Sequence, residues 1–365
     1  MALAHSPKIV TDGLSFIYDT GSGKSYKGEP TTNVVANPLP TTGWSVAQAQ
    51  GSALTRTYLT EDGIPFMRFS SVTNGNDYPR ITNSVFANSA TITGTFSTSL
   101  EVKGTAGAVL RLRIYQNGST KITNSITLTS EWTRYTFDNQ STGFNLNQPY
   151  FNPATSNAIY DIRNIQIEAK SHSTQFTTGT RSTTQGLIDL TGTATIDISN
   201  ASFDSNAQIT FDGTNDYASL GNPTAFRDLA EGAIETVYYR DASSGTYQMI
   251  FTDAGSDLEI TYLGNTLQFY IGNSGLSYTH AVTDQWFNVV GTWSSSFKKL
   301  YINGVEVASG SNTGTDTGSR DRFVGGRGAN FPFNGEIPIA RIYDRALTDS
   351  EVLQNYNATK GRFGL

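Results

Sequence analysis

Two short loops hold the oxygen-bearing side chains best spaced to act together. Asp212, Asn215 and Asp216 share one, and Asp253, Ser256 and Asp257 share the other. Several oxygen ligands from one or two loops are what a hard cation such as Ca2+ needs, and the same residue types also close turns through their own hydrogen bonds. Catalysis has less to draw on. The histidines, His5, His172 and His280, are scattered with no H-x-x-x-H or H-E-x-x-H spacing, so neither a zinc site nor a triad is indicated. A chain without cysteine has no disulfide, thiolate metal site or Cys nucleophile. Gly21-Ser-Gly-Lys-Ser25 has the end of a phosphate-binding loop, but Tyr18 stands where the upstream glycine belongs and Glu29-Pro30 follows where a helix should open. Aromatic rings are the remaining resource. Trp44, Tyr247, Tyr262, Tyr270 and Tyr278 are candidates to stack on the apolar faces of sugars, with Asn, Gln and Asp binding the hydroxyls. Trp132, Trp286 and Trp293 alternate with polar residues in strand-like runs and read as packing.

These residues must be positioned by β-structure. Thirty-five Gly among 365 residues, with abundant Thr, Ser and Asn, fits many short strands joined by tight turns, and no long 3.6-residue period appears before the C-terminus. The fold class expected is all-β, with two sandwiches and a short C-terminal helix. A net charge of −6 and a pI near 5.1 argue against nucleic acid, since Lys298-Lys299 is the one adjacent basic pair. No apolar run reaches the roughly 18 residues of a membrane span. Met1 to Lys8 lacks the charged and apolar regions of a signal peptide, so synthesis and assembly in the cytoplasm are expected.

Strands parse most clearly after residue 180. Ile209 to Leu220 holds two strand pieces around Asp212-Gly213, and Leu258–Leu263 and Thr266–Ile271 flank Gly264-Asn265. Leu300-Tyr-Ile, Asn303-Gly304 and Val305-Glu-Val form the strongest hairpin signal, because Asn-Gly accepts the positive φ of a type I′ turn. At the end, Gly335-Glu-Ile-Pro-Ile-Ala-Arg-Ile-Tyr343 reads as a strand, and Thr348 with Glu351 has the spacing of a capping box that opens a helix. The order of F-D-G-x-x-D-Y at 211, W-x-x-V-x-x-T-W at 286, L-Y-x-N-G at 300, Phe323-Val-Gly-Gly-Arg327, R-I-Y-x-R-x-L at 341 and E-x-x-x-N-Y-N at 351 resembles the laminin-G-like, concanavalin-type jelly rolls of many bacteriophage structural proteins. The opening strand of that domain looks displaced. Ile9 to Thr20 resembles it, whereas the D-L-T-G turn that should follow, Asp189-Leu-Thr-Gly192, comes about 170 residues later. Residues 1–30 plus 181–365 are therefore expected to form one discontinuous domain, with the 9–18 strand pairing against Ile337–Tyr343.

The intervening residues 31–180 are expected to form a second β-sandwich. Trp132-Thr-Arg-Tyr-Thr-Phe137, Ile162-Arg-Asn-Ile-Gln-Ile-Glu168 and the tail to Arg181 resemble jelly-roll carbohydrate-binding modules. Glycoside hydrolysis on a concanavalin-type sandwich needs two carboxylates facing one cleft, and no E-x-D-x-x-E run exists, Glu259 standing alone in its strand. The resemblance implies a non-enzymatic structural protein of a tailed-phage virion: a head decoration, capsid fibre or tail-fibre component. Its expected partners are other capsid or tail proteins, host-surface glycans and further copies of itself, most readily as a trimer. No cofactor is required on this reading, Ca2+ being the one ion the loops suggest. A bacterial adhesive or carbohydrate-active protein, or a purely architectural jelly roll without ligand, uses the same folds.

Overall fold

The computed structural model describes residues 8–35, 37–41, 47–48, 55–70, 77–78, 92, 94–116, 119–141, 148–205, 208–241, 246–255, 257–317 and 319–365. The chain divides into two compact units: Met1–Glu29 with Ser182–Asp204 and Gln208–Leu365, and Pro30–Arg181 with Ser205–Ala207. Both are β-sandwiches, and the single α-helix among the described residues lies at the C-terminus.

In the first unit the backbone of one sheet is the ten-residue strand Asn334–Tyr343. On one side it pairs with Gly232–Arg240, followed by Gln285–Trp293, Phe297–Ile302 and Val305–Ser311. Its other edge is shared. Ile209–Asp212 pairs with its start (Phe211 opposite Gly335), and Leu14–Asp19 with its end (Tyr18 opposite Ala340). The partner expected for the 9–18 segment is thus the one found. Phe16 and Tyr18 enter the core, and Tyr18 donates a hydrogen bond to the Ile337 carbonyl at 2.9 Å. The D-L-T-G turn locks this strand in place. The Asp189 carboxylate, 3% exposed, accepts from the backbone N–H of Ile17 at 3.1 Å, Thr191 at 3.0 Å, Thr193 at 2.9 Å and Ala194 at 3.0 Å.

The facing sheet runs Asp197–Asn200, Tyr217–Gly221, Arg322–Val324, Tyr247–Asp253, Leu258–Leu263, Thr266–Ile271, Ser274–Thr279. Ile209–Asp212 and Tyr217–Gly221 therefore belong to opposite sheets: the Asp212-Gly213 segment arches across the sandwich instead of closing a hairpin. From these opposite layers Phe211, Ala218 and Leu220 all point into the shared core. Asn303 and Gly304 both have positive φ, 51° and 78°, and Ile302 is opposite Val305, the two-residue hairpin that this dipeptide favours.

The outer face of the first sheet is covered by the Asp349–Phe363 helix, over a small core of Val10, Ala233, Val290, Tyr301, Tyr343, Leu347 and Val352. Its capping box is complete, and Gly364 ends it in the left-handed conformation. Arg345 and the Thr348 N–H hold the Glu351 carboxyl down at about 2. Asn355 explains the asparagine of the helix motif. Fully buried, it donates to Glu235 Oε2 at 2.7 Å and to the Tyr343 hydroxyl at 2.9 Å, and accepts from the Val10 N–H at 2.8 Å. Arg341 Nη1 lies 2.8 Å from Glu235, so the buried carboxylate is neutralised and hydrogen-bonded.

The second unit packs a five-stranded sheet (Thr133–Ser141, Thr95–Gly104, Ile159–Glu168, Ile64–Ser70, Thr55–Glu61) and a three-stranded one (Gln148–Pro153, Val109–Gln116, Ser119–Thr127) around Phe69, Phe96, Leu100, Leu110, Leu112 and Ile162. Its entry and exit pair with each other, Thr31 opposite Arg181. The Gln166-Ile-Glu168 motif staples the exit segment: Gln166 Oε1 accepts from Thr177 N at 2.7 Å, and Glu168 accepts from Thr174 N at 2.9 Å and from Thr31 Oγ1 at 2.6 Å.

Candidate functional site

Strand alternation in the seven-stranded sheet decides which side chains face away from the core. Leu258, Ile260, Tyr262, Leu267, Phe269 and Ile271 point inward, which leaves Glu259, Thr261, Gln268 and Tyr270 on the opposite face. A register shift between Met249 and Phe251 lets Ile250 and Phe251 both enter the core. Tyr247 and Met249 then join Glu259, Tyr270, Gly272, Asn273, Arg327 and Phe331 around a cleft of about 410 Å³.

Tyr270 is opposite Glu259 on one neighbouring strand and Gly275 on the other. Its ring lies over Gly275 so closely that a Cβ there would come within 2.5 Å of the ring. Burial, with Tyr247 and Glu259 alongside, raises the Tyr270 hydroxyl above its ordinary value. Glu259 Oε1 accepts from Thr252 Oγ1 at 3.1 Å and lies 3.6 Å from Arg327 Nη1. The Arg327 guanidinium sits over the Phe331 ring at 4.7 Å, and Phe331 meets Tyr247 edge-on at 5.7 Å.

Phe331 itself has φ +56°. A bulky side chain in the left-handed region costs about 1–2 kcal/mol and persists only where surrounding contacts impose it. Those contacts are present: Met249 N donates to the Phe331 carbonyl at 3.0 Å, and Arg327 and Asn330 exchange backbone hydrogen bonds of 2.8 and 3.2 Å. In this conformation the Phe331 ring lines the cleft wall.

Of the aromatic candidates, Tyr247 and Tyr270 come together here. Tyr262 does not: it is fully buried, its hydroxyl 2.9 Å from that of Tyr238 and 2.6 Å from His280 Nδ1. Its place in Leu258–Leu263 puts it in register with Leu258 and Ile260, which face the core. Tyr278 is 38% exposed but outside the cleft lining, and Trp44 lies outside the described residues. Trp132 is flanked by Arg163 at 4.0 Å and Lys103 at 5.0 Å, with Phe66 edge-on. Phe331 and Asn273 had no motif to announce them, whereas Arg327 ends the Phe323-Val-Gly-Gly-Arg327 motif.

The two acidic loops are occupied by the protein's own donors. Asp216 Oδ2 accepts from Asp212 N at 3.0 Å and Asp212 Oδ1 from Thr214 N at 2.7 Å, which is turn chemistry, and Asn215 is exposed. Buried Asp253 is 2.8 Å from Arg322 Nη1, and Asp257 is 2.7 Å from Arg320 Nη1. Arg322 also reaches Asp316 at 2.7 Å, so guanidinium groups supply the positive charge at these carboxylates. Burial still raises the Asp316 carboxyl above its ordinary range. Among the described residues no group of three or more His, Asp or Glu side chains is placed to hold a metal ion.

Residues 212–353 match the family model of the concanavalin A-like lectin/glucanases superfamily. No curated protein matches the chain. Among solved structures, a Trypanosoma rangeli sialidase in complex with 2,3-difluorosialic acid is similar at 14% identity and TM-score 0.39, over 48% of this chain and 31% of that one. Domain 4 of an extracellular arabinanase from Geobacillus stearothermophilus, in complex with arabinotriose, is similar at 20% identity and TM-score 0.35, over 44% and 81%. The binding domain of botulinum neurotoxin serotype D is similar at 13% identity and TM-score 0.39, over 49% and 50%. The chain thus spans less than two thirds of the sialidase and of the neurotoxin domain.

Proposed function

We propose that this chain, which carries a concanavalin A-like (laminin G-like) jelly-roll domain, is a non-catalytic glycan-binding protein whose ligand sits between Tyr247, Tyr270 and Phe331. The observation that carries the reading is Phe331, a bulky aromatic held in the left-handed region beside a cleft that already contains two tyrosines. Sugar rings present apolar C–H faces to aromatic side chains, and hydroxyls to a carboxylate, a guanidinium and an amide; the cleft offers each of these. Hydrolysis would need a second carboxylate, and Glu259 is the one carboxylate in the lining.

The setting we propose is a tailed-phage virion, as a head decoration or fibre component present in many copies. This rests on the sequence resemblance of the motifs from Phe211 to Asn357. Multiple copies suit a weak site, because later contacts become effectively intramolecular. A homotrimer is the expected assembly, and a solution mass of one chain, both free and after release from particles, would remove it.

The functional test uses Phe331→Gly. Relief of the left-handed backbone should leave the melting temperature equal to or above that of the wild type, while glycan binding on an array and by titration falls at least about tenfold. A variant that melts lower yet binds normally would assign Phe331 to structure and sink the proposal.

A further inference from the structure

The charge of the cleft constrains which sugars it can take. Glu259 and Arg327 are its two charged lining residues, with side chains 6% and 26% exposed and 3.6 Å apart. Their charges cancel. The neighbouring Asp253 and Asp257 are matched in turn by Arg322 and Arg320.

An anionic sugar would bring a carboxylate or sulfate toward Arg327. If Arg327 turned to it, the nearly buried Glu259 would lose the positive charge 3.6 Å away; if Arg327 stayed, two anions would crowd one guanidinium. A pair of neutral hydroxyls avoids both costs. They can donate to Glu259 and accept from Arg327, Asn273 or the Tyr270 hydroxyl, with the ion pair left intact. The volume, about 410 Å³, lies near the lower end of the roughly 300–1,000 Å³ typical of ligand sites, which suits a short epitope better than a long chain.

Building on the glycan reading, we infer that the cleft between Tyr270, Phe331 and the Glu259–Arg327 pair selects a short, uncharged sugar epitope and discriminates against sialylated, uronate-containing or sulfated ones. Glu259 is the source of that discrimination, and Arg327 is the group it withholds.

The test titrates the full chain with gluco-, galacto- and manno-oligosaccharides and with the same backbones carrying sialic acid, a hexuronate or sulfate. The wild type should bind a neutral member at least about tenfold more tightly than its anionic counterpart. Glu259→Gln, with its fold checked by thermal melting, should shift this ratio at least about tenfold toward the anionic ligands by freeing Arg327. Equal or tighter binding of anionic glycans by the wild type, or an unchanged ratio in Glu259→Gln, would overturn the inference. If such binding is lost in Phe331→Gly, the glycan reading survives and charge selection alone fails. Binding of neither class overturns both.

Discussion

Deletion of residues 1–20 is expected to leave the first unit unable to fold while Pro30–Arg181 keeps its structure. The deletion removes the strand Leu14–Asp19, in which Phe16, Ile17 and Tyr18 are 0%, 7% and 2% exposed, and uncovers the edge of Asn334–Tyr343. Burying three such side chains is worth about 1.5–3 kcal/mol each, so their loss approaches the roughly 5–15 kcal/mol total stability of a domain. Val10 goes as well, and with it the backbone donor to Asn355 that helps pin the helix. Limited proteolysis with mass spectrometry should yield a resistant fragment near residues 30–181 and rapid loss of residues 208–365. Persistence of residues 208–365 as a protected unit would show that the N-terminal strand is dispensable.

The second large effect is expected at Asp189. Its carboxylate accepts four backbone N–H groups, one of them from Ile17, 172 residues away in sequence. Hydrogen bonds to a charged group are worth about 1.5–3 kcal/mol, and each buried donor left without a partner costs about 1–3 kcal/mol. Water can reach part of the Thr191–Ala194 turn, so Asp189→Ala should cost the first unit about 4 kcal/mol in denaturant unfolding. Asp189→Asn should recover only a fraction, since its amide nitrogen cannot accept. A loss under about 1 kcal/mol would mean that the turn closes without its hub.

What the sequence disclosed follows from how local each signal was. Asn303-Gly304 dictates its own backbone, and Thr348 with Glu351 completes a cap within one turn, so both were legible from a few residues. The pairing of Leu14–Asp19 with the last strand is distant, but an unpaired apolar strand must find an edge, and the displaced Asp189-Leu-Thr-Gly192 turn marked where its partner unit resumed. Asp212-Gly213 misled because a tight-turn dipeptide does not say whether the next strand returns beside the first or crosses to the other layer. Tyr262 was misplaced although period-two alternation with Leu258 and Ile260 sends it inward, and the same alternation separates it from Tyr270. Phe331 was invisible: nothing in Ala-Asn-Phe-Pro requires a left-handed phenylalanine, and only the hydrogen bonds to Met249 and the Arg327–Asn330 pair impose it.

Determination of the protein's structure with a bound oligosaccharide tests the central claim most directly. A sugar ring is predicted in van der Waals contact with Tyr270 and Phe331, with a hydroxyl donating to Glu259, and no density for the same ligand is predicted with Phe331→Gly. A sugar seated on another face, with Phe331→Gly binding as the wild type does, would contradict the assignment of the cleft.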